Sequence, residues 1–165
     1  MIYPNDYFEK IDKITIEYLK KNDIKALILD MDNTLINQNS EMPENVLKWA
    51  KEIRGQGVKL IIASNSNRKN KLDKISNLLG IEYILFAKKP LKSGLMKAVK
   101  LLGENVNNIA VVGDQIFTDI IGGNRCKMYT ILVDAIEEKD FWYTAWKRPI
   151  ENKIKEKIEK HKNEK

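Results

Sequence analysis

Short apolar runs alternate with longer amphipathic stretches along most of the chain. The runs have the length and composition of β-strands and lie at residues 26–29, 58–63, 82–86, 109–112 and 129–133. The amphipathic stretches have helical periodicity and cover residues 43–54, 67–79, 91–102 and 118–124. The alternation predicts a three-layer α/β/α, Rossmann-like fold, because strands this apolar are buried between helices in a mostly parallel sheet, here five-stranded.

Two more helices are expected outside this alternation. One covers about residues 15–21, and a basic one begins near Pro149, since proline favours the first turn of a helix. We interpret residues 1–165 as a single domain with a basic helical C-terminal extension at about 147–165. An aromatic cluster at residues 141–146 precedes the extension, and we expect it to serve packing.

Composition excludes several classes of protein. Hydrophobic residues make up 43% and charged residues 32% of the chain, as is typical of a folded globular protein. No stretch resembles a signal peptide or reaches the roughly 18 apolar residues of a membrane span, so we expect a cytoplasmic protein. A single cysteine, Cys126, and a single histidine, His161, rule out a Cys/His zinc site. Any bound metal ion must therefore have oxygen ligands.

The net charge of +6 is concentrated in the C-terminal extension, where eight Lys or Arg stand against four Glu from Lys147 onward. The nearly neutral remainder argues against a nucleic-acid-binding face. Ile150, Ile154 and Ile158 form a helical stripe flanked by lysines. Such a basic amphipathic helix can lie on an anionic membrane as a peripheral contact. The alternative is that the isoleucines pack on the body of the protein.

Polar side chains follow three of the predicted strands. Asp30 and Asp32 come after the first strand, Ser64 and Asn65 after the second, and Asp114 after the fourth. The carboxyl ends of parallel strands lie on one edge of the sheet, where ligands bind in folds of this kind. Buried carboxylates need a charged partner or a metal ion, so this edge is the candidate site.

Four motifs occur in a fixed order: "DMDNT" at 30–34, "SNS" at 64–66, "KKP" at 88–90 and "GDQIFTD" at 113–119. In residue type, order and strand placement this set resembles the haloacid dehalogenase superfamily of phosphohydrolases. The resemblance implies a Mg²⁺-dependent phosphomonoester hydrolase that acts through an aspartyl-phosphate intermediate. A carboxylate that attacks a phosphate dianion needs cations beside it, which agrees with a magnesium site.

The resemblance also implies a role for each acidic residue. Asp30 would be the nucleophile, and Asp32 would protonate the leaving oxygen and then activate water. The magnesium ligands would be Asp30, the main-chain carbonyl of Asp32, and Asp114. Asp119 would hold the catalytic lysine or the waters of the metal from behind.

Phosphate binding is implied for the polar residues of the other motifs. Lys89, with Lys88 as its competitor, would neutralise the charge of the transferred phosphoryl group. Ser64 and the amides of Asn33 and Asn65 would hold the phosphoryl oxygens. Without the family, the same Asx-rich and Ser-rich stretches are also typical of capped turns.

The motif spacing leaves no space for a cap domain. In this superfamily caps are inserted after the first motif or between the second and third, but here Asp30 and Ser64 are 34 residues apart and Ser64 and Lys89 only 25. Capless members resemble subfamily III, whose open sites accept macromolecules, membrane-borne head groups, or small molecules when a homo-oligomer closes the site. A phosphorylated substrate is the expected partner in each case.

Within subfamily III the chain resembles the YqeG-type group, related to phosphatidylglycerophosphate phosphatases. "YPNDY", "AKKP", "GDQIFTDIIGGNR" and "YTILV" carry the match. It departs at Lys127, where a glycine is usual, and at Lys147-Arg148, where an Asn-Arg pair is usual. The resemblance favours a lipid head group as substrate, and these departures bear on substrate detail rather than on the chemistry.

The same residues are compatible with other functions. The same chemistry would serve a soluble sugar-phosphate or a nucleic-acid-end phosphatase. A signalling receiver domain also combines an acidic pocket, a hydroxyl and a Lys-Pro pair, but it places the Lys-Pro near its end, whereas Lys89-Pro90 here precedes "GDQ". A non-catalytic phosphate-binding protein is the remaining alternative.

Overall fold

The computed structural model describes residues 2–137 and 141–163, and for 141–148 and 161 it describes the backbone only. The strands are β1 Asp6–Phe8, β2 Ala26–Leu29, β3 Lys59–Ala63, β4 Glu82–Ile84, β5 Ile109–Gly113 and β6 Tyr129–Val133. The helices are α1 Ile16–Lys21, α2 Glu44–Gly55, α3 Lys69–Leu79, α4 Lys92–Leu102, α5 Ile121–Arg125 and α6 Phe141–Asn163. Short 3₁₀ turns lie at Ile11–Lys13 and Val106–Asn108, and a π-helical turn at Ile116–Ile120 leads into α5.

The strands form one parallel sheet in the order β1-β6-β5-β2-β3-β4. The predicted α/β architecture is confirmed, but the prediction of five strands is wrong, because β1 adds a sixth at the edge beside β6. β1 has only three residues, and two of them, Tyr7 and Phe8, are half-buried. An edge strand this short has no apolar run to reveal it in the sequence.

Helices cover both faces of the sheet, and alternate residues of each strand point to opposite layers. Leu27 and Leu29 of β2 belong to a core shared with α1, α2 and α3. Ala26 and Ile28 belong to a second core shared with α4 and the end of α5. The central strands are therefore buried on both sides, as their uninterrupted apolar sequence predicted.

Local signals set most helix ends within two residues of the predicted positions. Thr15 caps α1 by accepting a hydrogen bond from the Tyr18 N–H at 3.1 Å. Gly80 and Gly103 end α3 and α4 in the left-handed conformation, at φ +67° and +65°. The predicted helix at 118–124 is instead the π-helical turn followed by α5.

The helix expected to begin at Pro149 begins at Phe141, with Pro149 inside it. Proline is favoured at a helix start but does not define one, and that signal was misleading here. Ile154 is buried, and Ile150 and Ile158 pack beside it against Ile116 and Leu132. The isoleucine stripe thus covers the body of the protein, the second of the two alternatives.

Ion pairs fix α6 to the edge of the sheet. Lys155 Nζ lies 3.1 Å from an Asp134 carboxylate oxygen, and Lys162 Nζ lies 2.7 Å from Asp6. The Tyr7 hydroxyl donates to Asp134 at 2.6 Å from the neighbouring strand. Within the described residues, no helix is both long and apolar enough to cross a membrane.

The described segments between the motifs contain no inserted domain. α2 lies between the first motif and β3, and only α3 and β4 lie between β3 and Lys89. The carboxyl edge of the sheet is therefore not covered by a cap.

Candidate active site

The carboxyl ends of β2, β3 and β5 bring the motif residues together. β2 lies between β3 and β5, with Leu29 level with both Ile62 and Val112. The pairing continues one residue further, because the Asp30 N–H donates to the Val112 carbonyl at 3.0 Å. Asp30 consequently emerges between the ends of the two flanking strands, which carry Ser64 and Asp114.

Lys89 lies at the centre of the site with its ammonium between two carboxylates. Its Nζ is 2.9 Å from an Asp30 oxygen and 2.7 Å from an Asp119 oxygen, and only 2% of the side chain is exposed. Burial opposes the charge, but Asp119 and Asp30 outweigh it and raise the pKa of Lys89. The lysine is therefore a fixed cation directly beside the Asp30 carboxylate. Lys88, the competitor, is exposed and lies over the Phe86 ring instead.

Three carboxylates form a compact acidic cluster. One oxygen each of Asp30, Asp114 and Asp119 lies within 4.8 Å of the others. The Thr34 hydroxyl is 3.0 Å from an Asp114 oxygen and 3.4 Å from an Asp30 oxygen. Lys89 contacts two of these acids, Asp30 and Asp119, and oxygen-only donor sets suit a hard divalent cation. The three carboxylates together therefore form a group that could hold a divalent metal ion.

Asp119 is fully buried behind this cluster. One of its oxygens accepts from Lys89 and the other from the Gln115 N–H at 3.2 Å. Burial and the nearby Asp30 carboxylate raise the pKa of Asp119 to about 6, although Lys89 and the Gln115 N–H act in the opposite direction. Gly113 makes room for it, since a Cβ at that position would lie 2.1 Å from the Asp119 carboxylate.

Ser64 and Asn65 follow β3 on the other side of Asp30. The buried Ser64 accepts the Ser66 N–H at 3.1 Å through its hydroxyl oxygen, which leaves the hydroxyl proton for another acceptor. The Asn65 side chain donates to the Lys89 carbonyl at 2.9 Å and accepts the Lys89 N–H at 2.8 Å. The Asn65 side chain is thus bonded to the backbone of the central lysine, and its own backbone N–H is the group expected to contact phosphate.

Asn33 joins the first motif to the segment after β6. Its amide side chain donates to the Glu137 carbonyl at 2.8 Å and accepts the Glu137 N–H at 2.9 Å. Its backbone N–H donates to Ile36 O at 2.9 Å, and its carbonyl accepts the Ile136 N–H at 2.9 Å. Asn33 has a left-handed backbone, at φ +61°, that asparagine tolerates well. The structure therefore places Asn33 beside the site but uses its polar groups within the protein.

Asp32 lies outside the buried cluster at the open side of the site. Half of its side chain, 51%, is exposed, and one carboxylate oxygen is 2.7 Å from Lys71 Nζ on α3. Sequence reasoning did not find Lys71, because a lysine in an amphipathic helix carries no signal of its own. The sequence likewise does not reveal the role of Thr34, because its bond to Asp114 joins residues 80 positions apart.

The sheet and this arrangement of carboxylates, lysine and hydroxyls agree with the sequence matches below, which make the protein a phosphatase of the haloacid dehalogenase superfamily, subfamily III, of the YqeG type. More closely, residues 1–137 match the family described as mitochondrial PGP phosphatase, and the chain belongs to that family. The family membership supports an enzyme rather than a receiver domain or a non-catalytic binding protein.

Individual relatives agree with this assignment. The chain is 34% identical over 152 residues to the probable phosphatase YqeG of Bacillus subtilis strain 168, covering 92% of this chain and 88% of that protein. An uncharacterized Listeria monocytogenes protein has a similar structure, with a TM-score of 0.58, 17% identity and coverage of 72% and 84% of the two chains. The cobalt-bound deoxy-D-mannose-octulosonate 8-phosphate phosphatase of Haemophilus influenzae also has a similar structure. Its TM-score is 0.54 at 16% identity, and the match covers 69% of this chain and 70% of that one. At these identities the two structures show the shared fold alone.

Proposed function

We propose that the protein is a Mg²⁺-dependent phosphomonoester hydrolase in which Asp30 forms an aspartyl-phosphate intermediate. The observation that carries this proposal is the position of Asp30, whose carboxylate lies 2.9 Å from the buried Lys89 ammonium and within the acidic cluster. A carboxylate beside a fixed cation can approach a phosphate dianion without prohibitive repulsion.

In the first step, an Asp30 carboxylate oxygen forms a bond to phosphorus as the bond from phosphorus to the ester oxygen breaks. Asp32 gives its proton to the departing oxygen, which leaves as an alcohol. In the second step, Asp32 takes a proton from water, and the water oxygen attacks the phosphorus of the aspartyl-phosphate. Inorganic phosphate leaves, Asp30 is regenerated, and Asp32 is protonated again. The exposed position of Asp32 suits a group that must exchange protons with both alcohol and water.

The phosphoryl oxygens would be held by donors from two loops. Lys89 contributes its ammonium, Ser64 its hydroxyl, and Asn65 its backbone N–H while its side chain fixes Lys89. Asn33, for which phosphate contact was expected from the sequence, supports the first motif through Glu137. Asp119 keeps the Lys89 ammonium aimed at Asp30.

The metal ion would be held by Asp30 and Asp114, with the main-chain carbonyl of Asp32. When bound, Mg²⁺ neutralises phosphoryl charge and orients the ester for in-line attack. Thr34 holds the Asp114 carboxylate in place through its hydroxyl.

Phosphatidylglycerophosphate is the favoured substrate. One support is that the matching family carries the description mitochondrial PGP phosphatase. The other is that the described segments include no cap, so the site is accessible to a head group in a membrane. Localisation would then be cytoplasmic with peripheral membrane contact. A homo-oligomer that closes the site would instead suit a soluble substrate.

The test is phosphate release by purified protein with Mg²⁺, with Asp30→Asn as the blank. Phosphatidylglycerophosphate in mixed micelles is compared with sugar phosphates, nucleotides and end-phosphorylated oligonucleotides. Preference for the lipid supports the whole proposal, whereas turnover of soluble esters alone retains the chemistry and rejects the lipid. No metal-dependent turnover of any ester contradicts the chemistry.

A further inference from the structure

The loop that supplies Lys89 has two different faces. Ala87 and Lys89 point inward and are buried, at 1% and 5% exposure, where they contribute to the core and the site. Phe86 and Leu91 are exposed at 54% and 51%, and Lys88 between them is exposed as well. The outward residues therefore lie on the other side of the same short segment that holds the central lysine.

Phe86 is presented to solvent in an unfavourable backbone conformation. Its φ is +51°, in the left-handed region that bulky residues avoid, and its N–H is held by the Ser66 carbonyl at 3.1 Å. Lys88, also left-handed at φ +58°, places its ammonium 5.4 Å from the centre of the Phe86 ring. The fold thus accepts strain at two residues to expose an aromatic ring and a cation together.

The chemistry of this face is apolar and cationic. Leu85 adds another exposed side chain, at 38%, and Lys92 at the start of α4 adds a further exposed cation. The sequence has no Asp or Glu between Glu82 and Glu104. A second copy of the chain would set these lysines against one another, so like-charge repulsion opposes self-association here. An anionic surface with an apolar interior complements both properties.

We propose that residues 85–92, called here the docking loop, bind the surface of an anionic phospholipid membrane. Phe86 and Leu91 enter the interfacial region while Lys88 and Lys92 contact lipid phosphates. The inward side of the loop then places Lys89 next to a phosphomonoester head group at that surface. This inference rests on the proposed function for its purpose, but membrane binding can be measured independently of catalysis.

The experiment measures binding of the full chain to vesicles of phosphatidylglycerol and phosphatidylcholine, against phosphatidylcholine alone, by co-sedimentation. Phe86→Asn removes the ring and suits the left-handed backbone, and Leu91→Ser places a favourable capping residue at the position before α4. Both variants should therefore fold. Leu101→Ser is the matched control, because Leu101 is equally exposed, at 55%, near the opposite end of α4.

We expect wild type and Leu101→Ser to bind the anionic vesicles equally, and the combined Phe86→Asn and Leu91→Ser variant to bind them about tenfold or more weakly. Hydrolysis of a soluble ester such as p-nitrophenyl phosphate should be unchanged in all of them. Equal vesicle binding by the docking-loop variant, or no binding by wild type, overturns the inference. If wild type is a dimer in solution and the docking-loop variant is a monomer, the surface binds a second copy of the chain, and the inference is overturned. Failure of the wild type to hydrolyse any phosphoester, lipid or soluble, would instead refute the proposed function and leave the vesicle-binding result unaffected.

Discussion

The Asn65 side chain bonds to both polar groups of the Lys89 backbone. It donates to the Lys89 carbonyl at 2.9 Å and accepts the Lys89 N–H at 2.8 Å. The two residues are 24 positions apart and belong to the loops after β3 and β4. Because the Lys89 side chain is buried between Asp30 and Asp119, the direction of its ammonium depends on this backbone support. Asn65 is thus a positioning residue for the central cation.

Replacing Asn65 with alanine should therefore reduce turnover without unfolding the protein. Two backbone groups of Lys89 lose their partner, which costs about 1–3 kcal/mol of stability. Loss of lysine alignment should lower kcat about 10- to 100-fold, with a smaller change in KM. Asn67→Ala, two positions along the same exposed loop, is the control and should leave kcat unchanged. Equal kcat values for the two variants would refute the positioning role.

The raised pKa of Asp119 predicts a pH dependence of stability in metal-free protein. Its folded pKa of about 6 lies above the ordinary 3.8, so the contribution of the neutral form is complete below about 3.8 and is lost as pH rises through about 6. Asp119→Asn keeps a neutral side chain at every pH. Urea unfolding in the presence of a chelator should therefore show that the variant becomes more stable relative to wild type as the pH rises from about 3.8 to about 6.

The opposite trend, a variant that loses stability relative to wild type as pH rises, would mean that the Lys89 ion pair outweighs burial and Asp30. The comparison must be made without metal, because a bound cation would favour the ionised carboxylate. Activity measured with Mg²⁺ in parallel should be lower for Asp119→Asn at every pH.

Gly113→Ala tests the close approach between the end of β5 and Asp119. The added Cβ would lie 2.1 Å from an Asp119 carboxylate oxygen and 2.7 Å from its Cβ, so the π-helical turn must move as well as the side chain. We expect a loss of about 1–3 kcal/mol and a fall in turnover of about tenfold or more. Gly55→Ala at the end of α2, where nothing lies within 4 Å, should leave turnover unchanged and cost no stability. Wild-type activity in Gly113→Ala would show that Asp119 need not stay in place.

Lys127 has a left-handed backbone, at φ +59°. A left-handed backbone favours glycine, which agrees with the glycine expected at this position from the family resemblance. Lys127→Gly should raise the free energy of unfolding by about 0.5–1 kcal/mol. This gain is the backbone strain that glycine relieves, reduced by the conformational entropy that glycine loses on folding. Lys127→Ala removes the same side chain but retains the strain, so it should give no gain. Denaturant unfolding that ranks the alanine variant at or above the glycine variant would contradict this.

Much of the fold could be predicted because its main signals are local. The buried strands β2, β3, β5 and β6 are mostly apolar runs, and several helix ends carry glycine or capping residues. β1 was not predicted because the short sequence Asp6-Tyr7-Phe8 has no strand pattern of its own and forms a strand only by pairing with β6. The start of α6 was misplaced because Pro149, a local signal, lies inside a helix whose position is set by packing of Ile154.

The site was predictable in its residue types and less so in its contacts. Asp30, Asp114 and Lys89 meet because each follows a strand in a parallel sheet, so their proximity follows from topology. The bonds of Asn65 to Lys89 and of Asn33 to Glu137 join distant loops and depend on three-dimensional packing. Neither partner can be read from spacing along the chain.

The most direct test of the account is to look for phosphate on Asp30. A single-turnover reaction is run with Mg²⁺ and an ester that the protein hydrolyses, and samples are quenched in acid at successive times. The protein is then digested and its peptides are analysed by mass spectrometry, with Asp30→Asn as the blank. We expect the peptide containing Asp30 to gain one phosphoryl group, labile to hydroxylamine, whose amount rises and then falls as inorganic phosphate is released. Turnover with no phosphoryl group on that peptide, or turnover retained by Asp30→Asn, would contradict it.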